Sequence, residues 1–454
     1  MVLYSEDVAA VGPEESCPQD VLNPRTQRKV LAAGMIGTLI EYFDFLVYAT
    51  VSGLVFGKLF FPTDNEFVGA MLAISTFAVG FLVRPIGGIV FGHIGDRYGR
   101  RRVLSITITM MGIATALIGV LPTYSTIGIA APIVLVLLRI TQGLGVGGEY
   151  GAASTMVIEH AHQTGRRGLF GGLNASAGSS GFLLATGLLA ALTTLTTDEQ
   201  FEAWGWRVPF LLSAVLLAVG FYIRYHLPES PVMQAAVEHG RTVSRPLLEA
   251  FRHHPRQVAI ALAAPTGSFV GYYVILVFSA PYAADVSDHD ESALLALLTV
   301  GQVAYLFAVV GWAWWSDKVG RRLPMLIGSG GLMVWGFVFF PLLLSGSMMA
   351  TLVAFSVALV FLGAIYGPLA TFLAELFGTE VRLSGLSFGF QVSGALAGGL
   401  SPVIATALVG RGGTWLPVAF MIAIAAGTTV IAVWFSKDGR HRDLRDSATA
   451  PHAK

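Results

Sequence analysis

Residues Gly92-His-Ile-Gly-Asp96-Arg97-Tyr-Gly99-Arg100-Arg101 return, with Asp96 matched to Asp317 at an offset of 221, as Trp315-Ser-Asp317-Lys318-Val-Gly320-Arg321-Arg322. The offset is about half of the 454-residue chain. Apolar sequence surrounds both copies. Residues 103–138, 168–197, 257–284, 292–316, 323–374, 383–410 and 412–436 contain no Asp, Glu, Lys or Arg. A membrane helix needs about 20 mostly apolar residues. The first run therefore divides at Pro122-Thr-Tyr-Ser-Thr, and the run 323–374 divides near Ser345-Gly-Ser347. Three more spans, at 30–54, 67–92 and 128–153, carry charges inside them, and another at 206–226 follows Trp204-Gly-Trp206. Twelve helices result, with each motif copy in the loop between the second and third helix of its half. A repeat of this kind means two pseudo-symmetric bundles with a substrate path between them. The fold expected is an all-α membrane protein of 12 transmembrane helices in two six-helix bundles. A β-barrel would alternate apolar and polar residues along short strands, and these runs do not.

The composition agrees. Hydrophobic residues make up 54% and charged residues 12% of the chain, against about a quarter charged in a soluble domain. Such a surface suits neither a soluble enzyme nor a disordered chain. Lys+Arg and Asp+Glu are equal at 28 each, so no basic excess serves a nucleic acid. The single cysteine, Cys17, excludes a disulfide framework and a thiolate metal cluster. No cofactor, metal or obligate protein partner is expected; the partner that the composition calls for is the lipid bilayer. With both termini placed in the cytoplasm, all Lys and Arg except Lys58, Arg84, Arg139, Arg207 and Arg411 fall on the inner side, 23 of 28. That is the bias of an inner-membrane protein obeying the positive-inside rule. Residues 1–29 lack an apolar signal core and read as a cytoplasmic tail. The organisation expected is a bundle over 30–226, a Pro-containing linker over 227–255, a bundle over 256–436 and a tail over 437–454.

Charges inside the spans single out the working residues. An acidic or basic side chain at a helix centre costs about 2.5–3.5 kcal/mol on insertion scales. Glu41, Asp44, Arg84, Arg139 and Glu149 bear that cost. At 1.5 Å per residue, Glu41 and Asp44 lie roughly 16 and 21 Å from the inner end of helix one, and Arg139 roughly 18 Å from the outer end of helix four. Glu41 and Asp44 are three residues apart and share a face, which Tyr48 continues. Two nearby carboxylates in a low dielectric rarely ionise together, the property proton coupling requires. Arg139 and Gln142 share a stripe with Glu149, and a guanidinium matches both oxygens of a carboxylate. Arg139, Gln142, Tyr48 and Arg84 are therefore expected at a substrate, or paired with Glu41 and Asp44 as structural ion pairs. Asn174 and Gln391, with Tyr272, Tyr273 and Tyr366, line the path or form ordinary helix–helix hydrogen bonds. Gly143, Gly145, Gly147 and Gly148 admit a neighbouring helix.

The repeated loop points to gating. Gly92, Gly99 and Gly320 permit close packing and a tight turn. Asp96 and Asp317 can accept from a helix N-terminus or an arginine. Arg97, Arg100, Arg101, Arg321 and Arg322 can bind acids at neighbouring helix ends, with Glu375 and Arg382 as partners. Glu149 is expected as a further gate contact. The plainer reading is that these charges only hold the loop inside. Gly143-x-Gly145-x-x-Gly148 imitates a dinucleotide fingerprint, but it sits in an apolar span with no strand before it. Gly88/Gly92, Gly168/Gly172 and Gly394/Gly398 read as helix-contact surfaces. No metalloprotease or phosphate-loop sequence occurs.

The motif loop resembles the signature of the major facilitator superfamily. Glu41-Tyr-Phe-Asp44-Phe-Leu-Val-Tyr48, Phe60-Phe-Pro62, Arg84-Pro-Ile-Gly-Gly88, Arg139-Ile-Thr-Gln142, Gly147-Gly-Glu149-Tyr150-Gly151, Trp204-Gly-Trp-Arg207-Val-Pro209-Phe210 and Gly398-Gly-Leu-Ser-Pro402 narrow it to metabolite:proton symporters. The stretch from Gly92 to Ala153 and Thr196-Thr-Asp-Glu-Gln200 look most like shikimate-type permeases. The resemblance spans about residues 30–435 and implies a secondary active transporter, not an enzyme, importing a small carboxylated metabolite by proton symport and alternating access. A betaine or proline osmolyte and a di- or tricarboxylate are the alternative cargoes. The tail after Phe435 is short and lacks the heptads of osmosensing members. A membrane sensor without transport, or a membrane enzyme, is the alternative of another class; the duplicated layout disfavours both.

Overall fold

The structure is a computed structural model that describes residues 24–238, 243–287, 290–410, 413–440 and 442–444. Much of the tails expected at 1–29 and 437–454, and residues 239–242 of the linker, lie outside the described residues. Twelve helices are long and apolar enough to cross a membrane. They are α1 Pro24–Phe60, α2 Met71–Tyr98, α3 Arg100–Val120, α4 Ala130–His160, α5 Arg167–Leu195, α6 Asp198–Tyr225, α7 Pro255–Val286, α8 Ser292–Val319, α9 Arg322–Leu343, α10 Met348–Leu376, α11 Arg382–Val409 and α12 Leu416–Trp434. There is no strand among the described residues. Two short helices, Pro231–Glu238 and Pro246–His253, occupy the connection from α6 to α7.

The helices overrun the expected spans at the motif end. The motif was expected as a loop, yet α2 stays helical through Asp96 and Arg97, and α3 starts at Arg100. Only Gly99 turns the chain, at φ 103°, and Gly320 does the same between α8 and α9 at φ 92°. Both angles lie where a Cβ clashes, which is why each copy carries glycine at that place. The first helix of each half also contains one wide π turn, Ser52–Phe56 in α1 and Val274–Phe278 in α7.

Glycines draw α2 and α4 into backbone contact. A Cβ on Gly143 would lie 2.3 Å from the Gly80 carbonyl oxygen, and one on Gly147 would lie 2.2 Å from that of Arg84. The halves meet along two related seams, α2 with α11 and α5 with α8. At the first, Gly88 and Gly92 face Ser387, Gln391 and Ser384; at the second, Gly168 and Gly172 face Ala313. In a bilayer no hydrophobic gain drives helices together, so close packing of this kind holds the bundle. Gly147→Val should cost about 1–3 kcal/mol and lower the thermal midpoint of detergent-purified protein. Gly187→Ala, with nothing within 4 Å of its Cβ, should leave the midpoint unchanged.

Candidate functional site

Glu41, Asp44, Arg84, Arg139 and Gln142 converge on one small cavity inside the first half, lined also by Gly80, Gly143 and Val146. The expected ion pairs are absent. Among the described residues no carboxylate lies within 4.0 Å of either guanidinium in this cavity. Asp44 instead accepts from the Thr115 hydroxyl at 2.7 Å and from the Ser213 hydroxyl. Thr115 accepts from Gln142 Nε2 at 2.6 Å, and Gln142 Oε1 accepts from Arg139 Nη1 at 2.7 Å. A relay of three hydrogen bonds thus joins guanidinium to carboxylate without direct contact. Two hydroxyl donors satisfy Asp44 as an anion. Glu41 has no such support: its Oε2 is buried without a hydrogen-bond partner among the described residues.

Aromatic rings carry both arginines. The Arg139 guanidinium lies 3.7 Å from the Tyr48 ring centroid, and that of Arg84 lies 4.1 Å from Phe81 and 5.2 Å from Phe45. Such stacking holds a cation in place without neutralising it. Tyr48 is a platform, with its hydroxyl bonded to Thr76, and does not line the cavity. Arg84 and Glu41 also face a second chamber, shared with Tyr42, Phe269, Tyr273, Phe390 and Gln391. Gln391 both lines this chamber and donates across the seam to the Val146 and Gly147 carbonyls at 3.3 and 3.2 Å. A third chamber continues into the second half between Tyr42, Phe269, Tyr272, Tyr273, Tyr305 and Tyr366. Tyr42 and Tyr366 bridge the halves hydroxyl to hydroxyl at 2.9 Å. Tyr150 stacks on Phe390 with centroids 3.8 Å apart, also across the halves. Asn174 departs from expectation. It is buried against Gly34 of α1, outside these chambers, with both amide atoms unpartnered among the described residues.

Toward the motif end the repeat becomes three-dimensional. Asp96 accepts from the N–H groups of Leu383 (3.1 Å) and Ser384 (2.8 Å), at the start of α11 in the other half. Asp317 accepts from Gly168 (2.7 Å) and Leu169 (2.9 Å), at the start of α5. The first turn of a helix has N–H groups without partners and a positive dipole end, so a carboxylate suits it twice over. Arg100 reaches Asp96 and Glu159, each at 3.3 Å, and the Thr379 carbonyl at 2.9 Å. Arg321 reaches Asp317 at 2.7 Å and Glu375 at 3.1 Å. Arg382 crosses the seam to Glu159 at 2.7 Å, and Arg167 crosses to Glu375 at 3.7 Å. Two related clusters result, Asp96–Arg100–Glu159–Arg382 and Asp317–Arg321–Glu375–Arg167.

Four expected gate residues lie elsewhere. Arg97 rests over the Tyr98 ring. Among the described residues Arg101 and Arg322 bind no acid with their side chains: Arg101 donates to the Tyr225 carbonyl, and Arg322 to those of Val433 and Trp434, each within its own half. Glu149 pairs with Arg224 of α6 and accepts from Thr107 of α3 at 2.7 Å, also within one half. Sequence reasoning missed Glu159, Arg167, Arg224, Thr115 and Ser213 as site residues. For Glu159 and Arg167 a signal existed, since Glu375 and Arg382 close the same corner of the second half at similar spacing.

Twelve spans in two repeated halves, closed on a shared interior of chambers, define a membrane transporter. The profile of the Major Facilitator Superfamily matches residues 31–402. The inner membrane metabolite transport protein YhjE of Escherichia coli (strain K12) is 37% identical over 427 residues, 92% of this chain and 96% of that one. The shikimate transporter of the same organism is 35% identical over 422 residues, 91% and 95% of the two chains. A glycine betaine/proline/ectoine/pipecolic acid transporter, OusA of Dickeya dadantii (strain 3937), is 33% identical over 432 residues, 93% and 86%. The solved structure of the proton:xylose symporter XylE bound to 6-bromo-6-deoxy-D-glucose superposes with a TM-score of 0.71 at 18% identity, covering 91% and 95%, a likeness of fold. The chain belongs to the major facilitator superfamily. It is a multi-pass membrane transporter of metabolites, not an enzyme.

Glu149→Gln should strand the buried Arg224 guanidinium and destabilise the fold by about 3–5 kcal/mol. The check is thermal unfolding in detergent, where Glu149→Gln should melt well below Arg97→Ala.

Proposed function

We propose that this protein is a proton symporter of the inner membrane, with both termini cytoplasmic, that imports a small carboxylated metabolite. A shikimate-like cyclic acid is the leading cargo. The observation that carries this reading is one cavity holding an acid without a donor, Glu41, and a guanidinium without an acid, Arg84. A charge left unpaired in a membrane interior costs free energy unless a ligand or proton completes it. Protonation of Glu41 removes the negative charge that repels an incoming carboxylate. The carboxylate then completes Arg84, or Arg139 by displacing Gln142. Proton and substrate thereby favour each other's binding. Asp44 serves as the fixed anion at the far end of the relay. The bundles 30–226 and 256–436 rock around this site, with the linker 227–255 between them and the two charge clusters closing the cytoplasmic end.

A second reading rests on the third chamber. Six aromatic rings and no charged side chain line its wall alongside small residues. Such walls stack on a cyclic acid, and they also hold a quaternary ammonium, the chemistry of a betaine. Uptake of radiolabelled shikimate into proteoliposomes under an inward proton gradient, with glycine betaine and dicarboxylates as competitors, separates the cargoes. Protonophore-sensitive shikimate accumulation supports the first reading; accumulation of betaine alone supports the second. Glu41→Gln and Asp44→Asn should each abolish accumulation, while Glu41→Gln retains counterflow exchange. Wild-type accumulation by Glu41→Gln removes that residue from the proton path. Arg139→Ala should weaken apparent affinity about 10- to 100-fold, the worth of a hydrogen bond to a charged group; an unchanged KM removes it from the site.

A further inference from the structure

Beyond α12 the chain folds back over the motif end. Its first residues there repeat an arrangement already present after α6. Glu229 accepts from the backbone N–H groups of Arg100 at 3.0 Å and Arg101 at 3.2 Å, beside Gly99, and Ser230 hydrogen-bonds Glu159. Asp438 stands in the same relation to Gly320, and Gly439 packs on Glu375. The halves then diverge. After Ser230 the chain enters the helix Pro231–Glu238. Beyond Gly439, residues 442–444 touch both charge clusters.

There, Leu444 is fully buried in a hydrophobic cluster drawn mainly from the second half. Its carbonyl accepts from Arg382 Nη2 and from the Thr379 hydroxyl, both at 2.7 Å. Arg442 Nη1 donates to the carbonyls of Glu375 and Leu376 at 3.0 and 3.2 Å. These bonds tie the segment to its own half. Two others reach the opposite half. The Arg442 carbonyl accepts from Arg167 Nη1 at 2.9 Å, and Asp443 pairs with His162 Nε2 at 2.8 Å. His162 and Arg167 flank the turn between α4 and α5.

We propose that residues 442–444 form a latch, anchored on the second half and gripping the α4–α5 turn of the first. The inference rests on the alternating-access reading of the two halves. Parting the halves at this end pulls Arg167 and His162 away from a segment that Thr379 and Arg382 hold in place. The latch bonds across the seam therefore exist only while this end is closed. A contact made in one state alone shifts the population toward that state. The latch biases the carrier toward the form closed at the motif end, without touching substrate or proton.

The test uses detergent-solubilised chain carrying Cys17→Ser and Ser384→Cys. Ser384 is buried on α11 against Gly92 of α2, so a maleimide reaches a cysteine there only when the seam opens. Deletion of 442–454 should speed labelling about fivefold or more, and deletion of 445–454 alone should leave the rate unchanged. Equal rates for both deletions and the full chain overturn the proposal. Leu444→Asp, which expels the segment without shortening the chain, should also speed labelling. An unchanged rate in that variant overturns the proposal even where the longer deletion does not fold. Labelling reads opening and not transport, so failure of the substrate assignment leaves its outcome intact.

Discussion

A carboxylate of one half sitting on the first turn of a helix in the other is the contact around which the closed molecule is arranged. Asp96 does this to α11 and Asp317 to α5. Each interaction satisfies N–H groups that no helix can satisfy for itself. Each also fixes where its neighbours stand. Arg100 and Arg321, four residues on from those acids, carry the charge to Glu159 and Glu375. Arg382 and Arg167, the first residues of the capped helices, return it across the seam. The glycines at 88, 92, 168 and 172 let the backbones come close enough for this geometry.

The interior departs from the symmetry of the ends. All the charged groups of the chambers come from the first half, on α1, α2 and α4, while the second half supplies mainly aromatic rings. A duplicated scaffold thus encloses a divided interior, with the charged groups on one side and an apolar, hydroxyl-bearing wall on the other. The relay from Arg139 through Gln142 and Thr115 to Asp44 spans α4, α3 and α1. It links the two kinds of charge through neutral groups that can exchange partners.

The legibility of this arrangement in the sequence depends on the range of the interactions. The spans, the repeat and the acids inside α1 are legible because apolar runs, fixed offsets and helical spacing are local. Asp96, Asp317 and Arg321 are legible because the repeat marks them twice, and Glu375 and Arg382 because they stand as charges at the junction of two apolar runs. Thr115 and Ser213 are invisible, since a hydroxyl on an apolar helix looks the same whether it bonds its own backbone or a distant carboxylate. Arg224 counts in the sequence only as one more inner-side positive charge, and its pairing with Glu149 needs α4 and α6 side by side. Tyr48 misleads for the converse reason. Its helical register with Asp44 is right, but Arg139 lies over the ring and closes it off from the cavity. The turn between α2 and α3 shrinks to Gly99 because charged residues extend a helix beyond the bilayer as readily as they form a loop.

Because the closing contacts come as two equivalent clusters, spontaneous opening at that end requires both to fail together. Independent improbabilities multiply. The seam between the halves therefore parts rarely, even if each cluster alone were only modestly strong. Resistance to a parting of the halves is then a property of the duplication itself and not of any single bond.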